Sequence, residues 1–301
     1  MTPESASQTY RRRRWLRRIA IALFVAASLG AYFWHITARS RLIAEIEAAG
    51  GDYHDFDRAP PLARLLGRFW NSPVPPAERR VALTSLEFDD AWLADHDHLA
   101  ALPLTSVLVQ ETSLSREGVR QLLSAHQLHQ FEAADVPLTD DDVPLLNQQV
   151  GLNGLDVSGS QITDAGLVQL DLPRLRWIRL FGTPVTSDGL CEWLPGSSVT
   201  GLTIDGRQFT PEVAETLQSL PQIWSVQLYG AEVTDEHLER LSTIPTLQHV
   251  EVWESSVSRE AAVALRDAHP EWLLRITLPE GSVVRMQPVR TTAPASGTGA
   301  Q

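Results

Sequence analysis

The sequence predicts an α/β solenoid, a stack of strand–turn–helix units sharing one hydrophobic spine. Three observations predict it. The phrase L-x-x-L-x-L recurs with first positions at Leu83, Leu104, Leu128, Leu152, Leu175, Val199, Ile223, Leu247 and Leu273. Successive copies start 21 to 26 residues apart, a period at which no single unit folds alone. Ser or Thr also recurs at one position of the unit, with an acid close behind it.

Taken in order, residues 1–18 form a basic tail, and Ile19 to Ala38 is a run without Asp, Glu, Lys or Arg. At about 1.5 Å per helical residue that run matches a hydrocarbon core of about 30 Å. Arg11, Arg12, Arg13, Arg14, Arg17 and Arg18 precede it, while only Arg39 and Arg41 follow closely. The positive-inside bias therefore predicts one transmembrane helix with its amino terminus in the cytoplasm and the repeats outside. Two other readings stay open. Val25-Ala26-Ala27 could be a signal-peptidase site, although the apolar run continues past it, and the Arg12-Arg13 stretch loosely fits a twin-arginine signal.

Residues 39–80 are expected to be a juxtamembrane segment and end cap, because the first unit of a solenoid otherwise exposes its core. A helix is predicted over Leu42 to Ala49, stopped by Gly50-Gly51, then an edge strand over residues 52–58. A second helix over Leu62 to Trp70 follows Pro60-Pro61. The solenoid is placed at residues 81–278, and the tail 279–301, rich in Pro, Ser, Thr, Gly and Ala, is expected to be disordered.

One unit shows the logic. Leu152, Leu155 and Val157 alternate as a short strand, Ser158-Gly159-Ser160 turns the chain, and Ile162 returns to the core. Thr163 then caps a helix that buries Leu167 and Leu170, and Leu172-Pro173 ends it. Ser115, Thr139, Thr163, Thr186, Thr210, Thr234 and Ser258 hold the same position, where a hydroxyl accepts from open N–H groups of a first turn. The acids behind them suit the positive end of a helix dipole. Asp140-Asp141-Asp142 is accordingly read as the first turn of a helix and not as a cation site.

These residues resemble leucine-rich repeats, nearest to the cysteine-containing type, with L-x-x-L-x-L-x-x-x-x-[VI]-T-D-x-G-L. The best copies are Leu152–Leu167, Leu175–Leu190 and Ile223–Leu238. The chain is similar to bacterial single-pass membrane proteins that carry such repeats outside the membrane. The resemblance implies a right-handed solenoid with a parallel sheet on the concave face and helices on the convex face. It implies protein binding, and no catalytic residues. Departures exist: Thr112, Ser160, Thr183, Arg207, Ala231 and Ser255 stand where Asn or Cys is usual, and the first unit lacks the cap signature.

Charge and cysteine narrow the function. The net charge is -12, and beyond residue 40 the acids outnumber Arg two to one, which argues against a nucleic-acid partner. The single cysteine, Cys191, excludes an intrachain disulfide and reads as a buried small side chain. Asp95-His96-Asp97-His98 has metal-ligand residue types, but its alternation in a loop is permissive, and no metal or cofactor is expected.

In every unit alternate strand residues should leave the core and align in columns. One column reads Asp89, Gln110, Ala134, Ser158, Phe181, Asp205, Tyr229, Trp253. A second reads Glu87, Leu108, Glu132, Asp156, Arg179, Thr203, Gln227, Glu251, and a third Ser85, Ser106, Gln130, Gly154, Trp177, Gly201, Ser225, His249. Trp177, Arg179, Phe181, Asp205, Tyr229, His249, Glu251 and Trp253 are the candidate binding residues, because aromatics and Arg dominate binding hot spots. The expected function is a membrane-anchored module that binds a protein or peptide on its concave face. Alternatives are a structural envelope spacer or a metal-dependent enzyme using the Asp-His cluster; no nucleophile–base or P-loop signature supports an enzyme.

Overall fold

A computed structural model describes residues 37, 39–55, 79–96, 99–100 and 102–287. The segment expected to cross a membrane, 19–38, lies outside the described residues apart from Thr37, as do the expected helix at 62–70 and Asp97 and His98. Among the described residues no helix is long and apolar enough to cross a membrane.

Helix α1 (residues 39–48) is followed by strand β1 (Asp52–Asp55), which pairs antiparallel with β2 (Arg79–Leu83). Helices and strands then alternate: α2 (Asp90–Asp95), β3 (Ser106–Val109), α3 (Arg116–Ala125), β4 (Gln130–Ala133), α4 (Val143–Asn147) and β5 (Gly154–Asp156). They continue as α5 (Asp164–Val168), β6 (Trp177–Arg179), α6 (Ser187–Trp193), β7 (Gly201–Asp205), α7 (Pro211–Gln218) and β8 (Ser225–Tyr229). The series ends with α8 (Asp235–Ser242), β9 (His249–Trp253), α9 (Arg259–Ala268), β10 (Leu273–Thr277) and β11 (Val283–Met286).

The strands form one 11-stranded sheet in strict sequence order, β2 to β10 parallel and β11 antiparallel to β10. This is a leucine-rich-repeat-like solenoid. Its register makes the spine explicit. Val81, Val107, Phe131, Leu155, Ile178, Leu202, Val226, Val250 and Leu274 are successive partners across nine strands, each at most 2% exposed. With the helix residues they join one continuous core from Leu42 to Val284. Each such side chain contributes about 1.5–3 kcal/mol relative to exposure, and it does so only because the next unit covers it.

Three expectations are corrected. The first copy of the phrase is out of register: Leu83 pairs with Val109, so the strand ends where the sequence reading began it. Leu86 is consequently 72% exposed, and Ser85, Glu87 and Asp89 leave the columns to Arg80 and Ala82, the partners of Ser106 and Leu108. The first unit also has its cap, because Asp89 accepts from Trp92 N at 2.7 Å. The segment 279–287, expected to be disordered, is ordered by β11, whose buried Val284 extends the core past β10.

All seven predicted Ser and Thr residues hold the N-cap position with extended backbone. The hydroxyls of Ser115, Thr186 and Ser258 accept from first-turn N–H groups as expected, whereas Thr163 and Thr210 make no such bond. The acid behind them does more than meet a dipole. Where it is Asp in the first helical position, it reaches the cap of the next unit. Asp140 accepts from Thr163 N at 2.8 Å and from Thr163 Oγ1 at 2.6 Å. Asp164 does the same with Thr186, both at 2.7 Å, and Asp235 with Ser258, both at 2.7 Å. Asp90 clasps Ser115 likewise. The glycine of T-D-x-G-L follows from this: a Cβ at Gly166 or Gly189 would land on the Asp140 or Asp164 carboxylate. At the last clasp Ala261 takes that place.

Two units without a clasp cap themselves. Thr139 N donates to Asp142 Oδ2 at 2.8 Å, and Thr234 N to His237 Nδ1 at 3.1 Å. The accepting Nδ1 fixes the proton of His237 on Nε2, which donates to Gly206 O at 3.1 Å. The three consecutive aspartates thus have three separate roles. Asp140 clasps the next unit, while Asp141 is exposed. Asp142 is fully buried and held by Arg116 Nε at 2.6 Å and Arg120 Nε at 3.5 Å on α3. Hydrogen bonding to Asp142 raises the Arg116 pKa further above its ordinary range.

Chemical denaturation should separate these roles. Asp142→Ala should cost about 2–3 kcal/mol, below the usual loss for a broken buried pair because Arg116 keeps access to water. Asp140→Ala should cost about 1–2 kcal/mol and Asp141→Ala less than about 0.5 kcal/mol. Equal losses at all three would contradict the assignment.

Burial lowers the pKa of His237, and of His126, below the ordinary 6.5. The unfolded chain therefore binds those protons more readily. Their contribution is complete above about pH 6.5 and declines as pH falls through that value toward the folded pKa. Protonated His237 cannot accept at Nδ1, so acid removes one cap, worth about 1 kcal/mol. His237→Gln should flatten part of that slope in a pH series of unfolding midpoints; an unchanged slope would contradict the cap.

Candidate functional site

The face of the sheet away from the helices carries the alternate residues of each strand. The register aligns two of the columns from β3 onward, including Trp177↔Gly201↔Ser225↔His249 and Arg179↔Thr203↔Gln227↔Glu251, and the third from β7 onward as Asp205↔Tyr229↔Trp253. After β3 to β6, β8 and β9 the chain turns off the sheet through a left-handed residue. Gly159 and Gly182 hold φ of +70° there, and Glu111, Asp135 and Glu254 adopt 53°, 60° and 55° at the same place.

The candidate residues fall into three groups. The first is an aromatic ladder. Phe181 and Tyr229 stack at 4.6 Å between centroids, and Tyr229 and Trp253 at 6.0 Å. Phe181 reaches Tyr229 across β7 because Asp205 turns aside, accepting from Gly182 N at 2.9 Å and pairing with Arg207 at 3.1 Å. The ladder ends under Arg275, whose guanidinium carbon lies 3.9 Å from the Trp253 centroid. All three rings are half-buried. Burial pushes the Tyr229 phenol above its ordinary pKa; Arg179 opposes this and the Glu251 and Asp156 carboxylates add to it.

The second group is ionic. Arg179 Nη1 sits 3.3 Å from Glu132 and 3.2 Å from Asp156, and Arg80 Nη2 lies 3.4 Å from Glu132. The Arg179 guanidinium also lies 5.1 Å from the Trp177 ring centroid. Trp177 is not part of the ladder. Its ring lies over Gly154 on β5, where any Cβ would collide with it.

The third group is Ser225, His249 and Glu251. Ser225 Oγ is 3.0 Å from His249 Nδ1, and His249 Nε2 is 3.3 Å from Glu251 Oε1 without hydrogen-bond geometry. The order hydroxyl–imidazole–carboxylate has the parts of a nucleophile and base. The flanking backbone amides run within the ladder between β7, β8 and β9, so they offer no N–H pair to a developing oxyanion. Trp224 stacks on His249 at 5.9 Å and is 46% exposed.

Elsewhere, His96 is tied into the amino-terminal packing by Trp92 O at 2.7 Å, Glu45 at 3.4 Å and the Trp92 ring at 4.0 Å. Among the described residues no group of three or more His, Cys, Asp or Glu could hold a metal ion. Cys191 is half-buried on α6, with Thr216 Oγ1 3.4 Å from its sulfur. Arg207 does not occupy the inward turn position. Gln208 does, with Oε1 accepting from Asp205 N at 2.7 Å and Nε2 donating to Val185 O at 2.8 Å.

Sequence reasoning missed Arg80 and Arg275 on this face. Arg275 continues the Arg179–Glu251 column one strand further, as the partner of Glu251, so its signal was the repeat itself. Arg80 was hidden by the misplaced first copy.

No protein-family model matches the chain, and no curated protein matches it. One similar solved structure is described as "Crystal structure of TLR13-ssRNA13 complex", with 12% identity, 58% of this chain covered and a TM-score of 0.35. The chain spans about a third of that protein, 32% of its length. So low a TM-score carries over neither a fold nor a ligand; the solenoid rests on its own strand order and register.

Proposed function

We propose that this chain is a non-enzymatic interaction module that takes a protein or peptide partner on the open face of its sheet. That face is the inner, concave side of a right-handed coil. The Phe181–Tyr229–Trp253 ladder carries the reading: three half-buried rings span β6 to β9 with Arg179 and Glu251 beside them. Such a row offers a large apolar contact with charged rims at little conformational cost, the composition of a hot spot. Asp205 and His249 flank it, and Trp177 with Arg179 extends it toward β5. The acidic balance of the repeats disfavours a nucleic-acid partner.

A structural spacer is the second reading, favoured by the stacking of the rings on one another, which satisfies them without a partner. A crosslinking comparison separates the two. With Phe181→Ala and Tyr229→Ala combined, a partner held by the unaltered chain should be lost at least about tenfold, with the solenoid still folded. Unchanged crosslinking would leave the spacer.

The proposal includes a tether: residues 19–38 cross the bilayer once, with the amino terminus cytoplasmic and the repeats outside. The Arg residues on one side of that run support this. Protease added outside intact cells should then digest the repeats; full protection would reverse the orientation.

A further inference from the structure

We propose that the β9–β11 end of the open face is an oxyanion-binding subsite, taking a carboxylate or phosphoryl group through Arg275 and Arg285. It deepens the interaction reading, on which it rests only for the claim that the oxyanion belongs to a protein partner.

The observation is an excess of donors. Arg275 and Arg285 are direct partners across the β10–β11 pair, on the same face of the sheet. Like charges so placed repel. Neither has a hydrogen bond or ion pair among the described residues. The other two guanidinium groups of this face, Arg80 and Arg179, are both held by carboxylates. Two further donors nearby, and the inner nitrogen of Arg275 itself, also lack acceptors. Trp253 Nε1, Arg275 Nε and Thr277 Oγ1 are buried without a hydrogen-bond partner. Leaving such groups unpaired is costly.

The acid best placed to answer them does not. Glu251 is the strand partner of Arg275, yet its carboxylate turns to His249 Nε2 at 3.3 Å. Arg275 instead lies on the Trp253 ring at 3.9 Å from its centroid, which holds the planar guanidinium in place with its outer nitrogens reachable. What this end of the sheet lacks is an acceptor-only group with two oxygens. Carboxylates and phosphoryl groups are such groups, and paired guanidinium forks bind them by parallel hydrogen bonds. The chain as a whole carries -12, so anions are not gathered by long-range attraction, and saturable binding here would report the local geometry.

The test is calorimetric titration of the full-length chain in micelles, at fixed ionic strength, with inorganic phosphate and with an acetylated tetraglutamate peptide. Saturable binding at one site per chain is expected, weakened at least tenfold by Arg285→Gln and by Arg275→Gln, and tightened by Glu251→Gln. Arg285 is exposed, so its variant should fold even if loss of the Trp253 contact unsettles Arg275→Gln. Binding of the peptide supports a carboxylate on a protein partner. Binding of phosphate alone supports the subsite but rejects an acidic segment as its source. No saturable heat from either probe, or binding unchanged in both Arg variants, overturns the subsite. The outcome is independent of the Phe181–Tyr229 crosslinking result, so either reading can fail without the other.

Discussion

The whole molecule depends on one constraint: no unit can cover its own apolar strand face, so each is completed by its neighbour. The column from Val81 to Leu274 is dry only because nine strands keep one register. Hydrophobic burial already opposes a one-residue slip, which would turn the apolar strand residues to the open face. Polar contacts between units add to that register. A carboxylate that accepts both the N–H and the hydroxyl of the next cap has a single satisfactory position, and sliding the next unit by one residue would break both bonds. The clasp therefore ties the start of every helix it serves to the unit before it. Where the first helical residue is Pro211 or Arg116, a local acceptor, His237 or Asp142, takes over, and the same side chain reaches the preceding unit through Gly206 O or Arg116.

Much of this was legible in the residues. The period, the cap positions and the columns of Ser106 and Leu108 from β3 onward need only spacing and side-chain type. What spacing cannot supply is the identity of the partner across units. The acids at Asp140, Asp164 and Asp235 could be read as dipole partners because that effect acts within a helix, whereas their bonds reach residues 23, 22 and 23 positions away. The first unit failed for a related reason. Leu83, Leu86 and Phe88 satisfy the phrase, yet the true strand begins at Arg79 and has too few leucines to announce itself. A pattern scores leucines as equal, and only the neighbouring strand shows that Leu86 has nothing to pack against. The tail was misjudged similarly: Val283 to Met286 is a short strand in polar company, held because Val284 finds the core.

The open face shows the same economy with opposite consequences at its two ends. On the β2–β6 side the charges close on themselves, with Arg80, Glu132, Asp156 and Arg179 linked into one network. A partner there would have to break contacts that already compensate desolvation. Toward β8–β11 the aromatic rings are only half covered and the donors outnumber their acceptors. Binding energy comes from groups whose needs the free protein leaves unmet, so the two halves of one face are not equivalent.

The ends of the sheet sharpen this asymmetry. An edge strand offers unpaired backbone groups that invite association, and charge on the edge is one way to prevent it. Strand β1 carries Asp52 and His54, which lie 2.8 Å apart and answer each other. Strand β11 carries Arg285, which no group among the described residues answers. Both strands cap a core that would otherwise be open, and both place charge on the outer edge. Only at β11 is that charge continuous with an aromatic row through Arg275 and Trp253. The residue that protects the edge from pairing with another strand is then also the one left able to hold an anion. If binding is the function of this face, it belongs to the β8–β11 end of the solenoid.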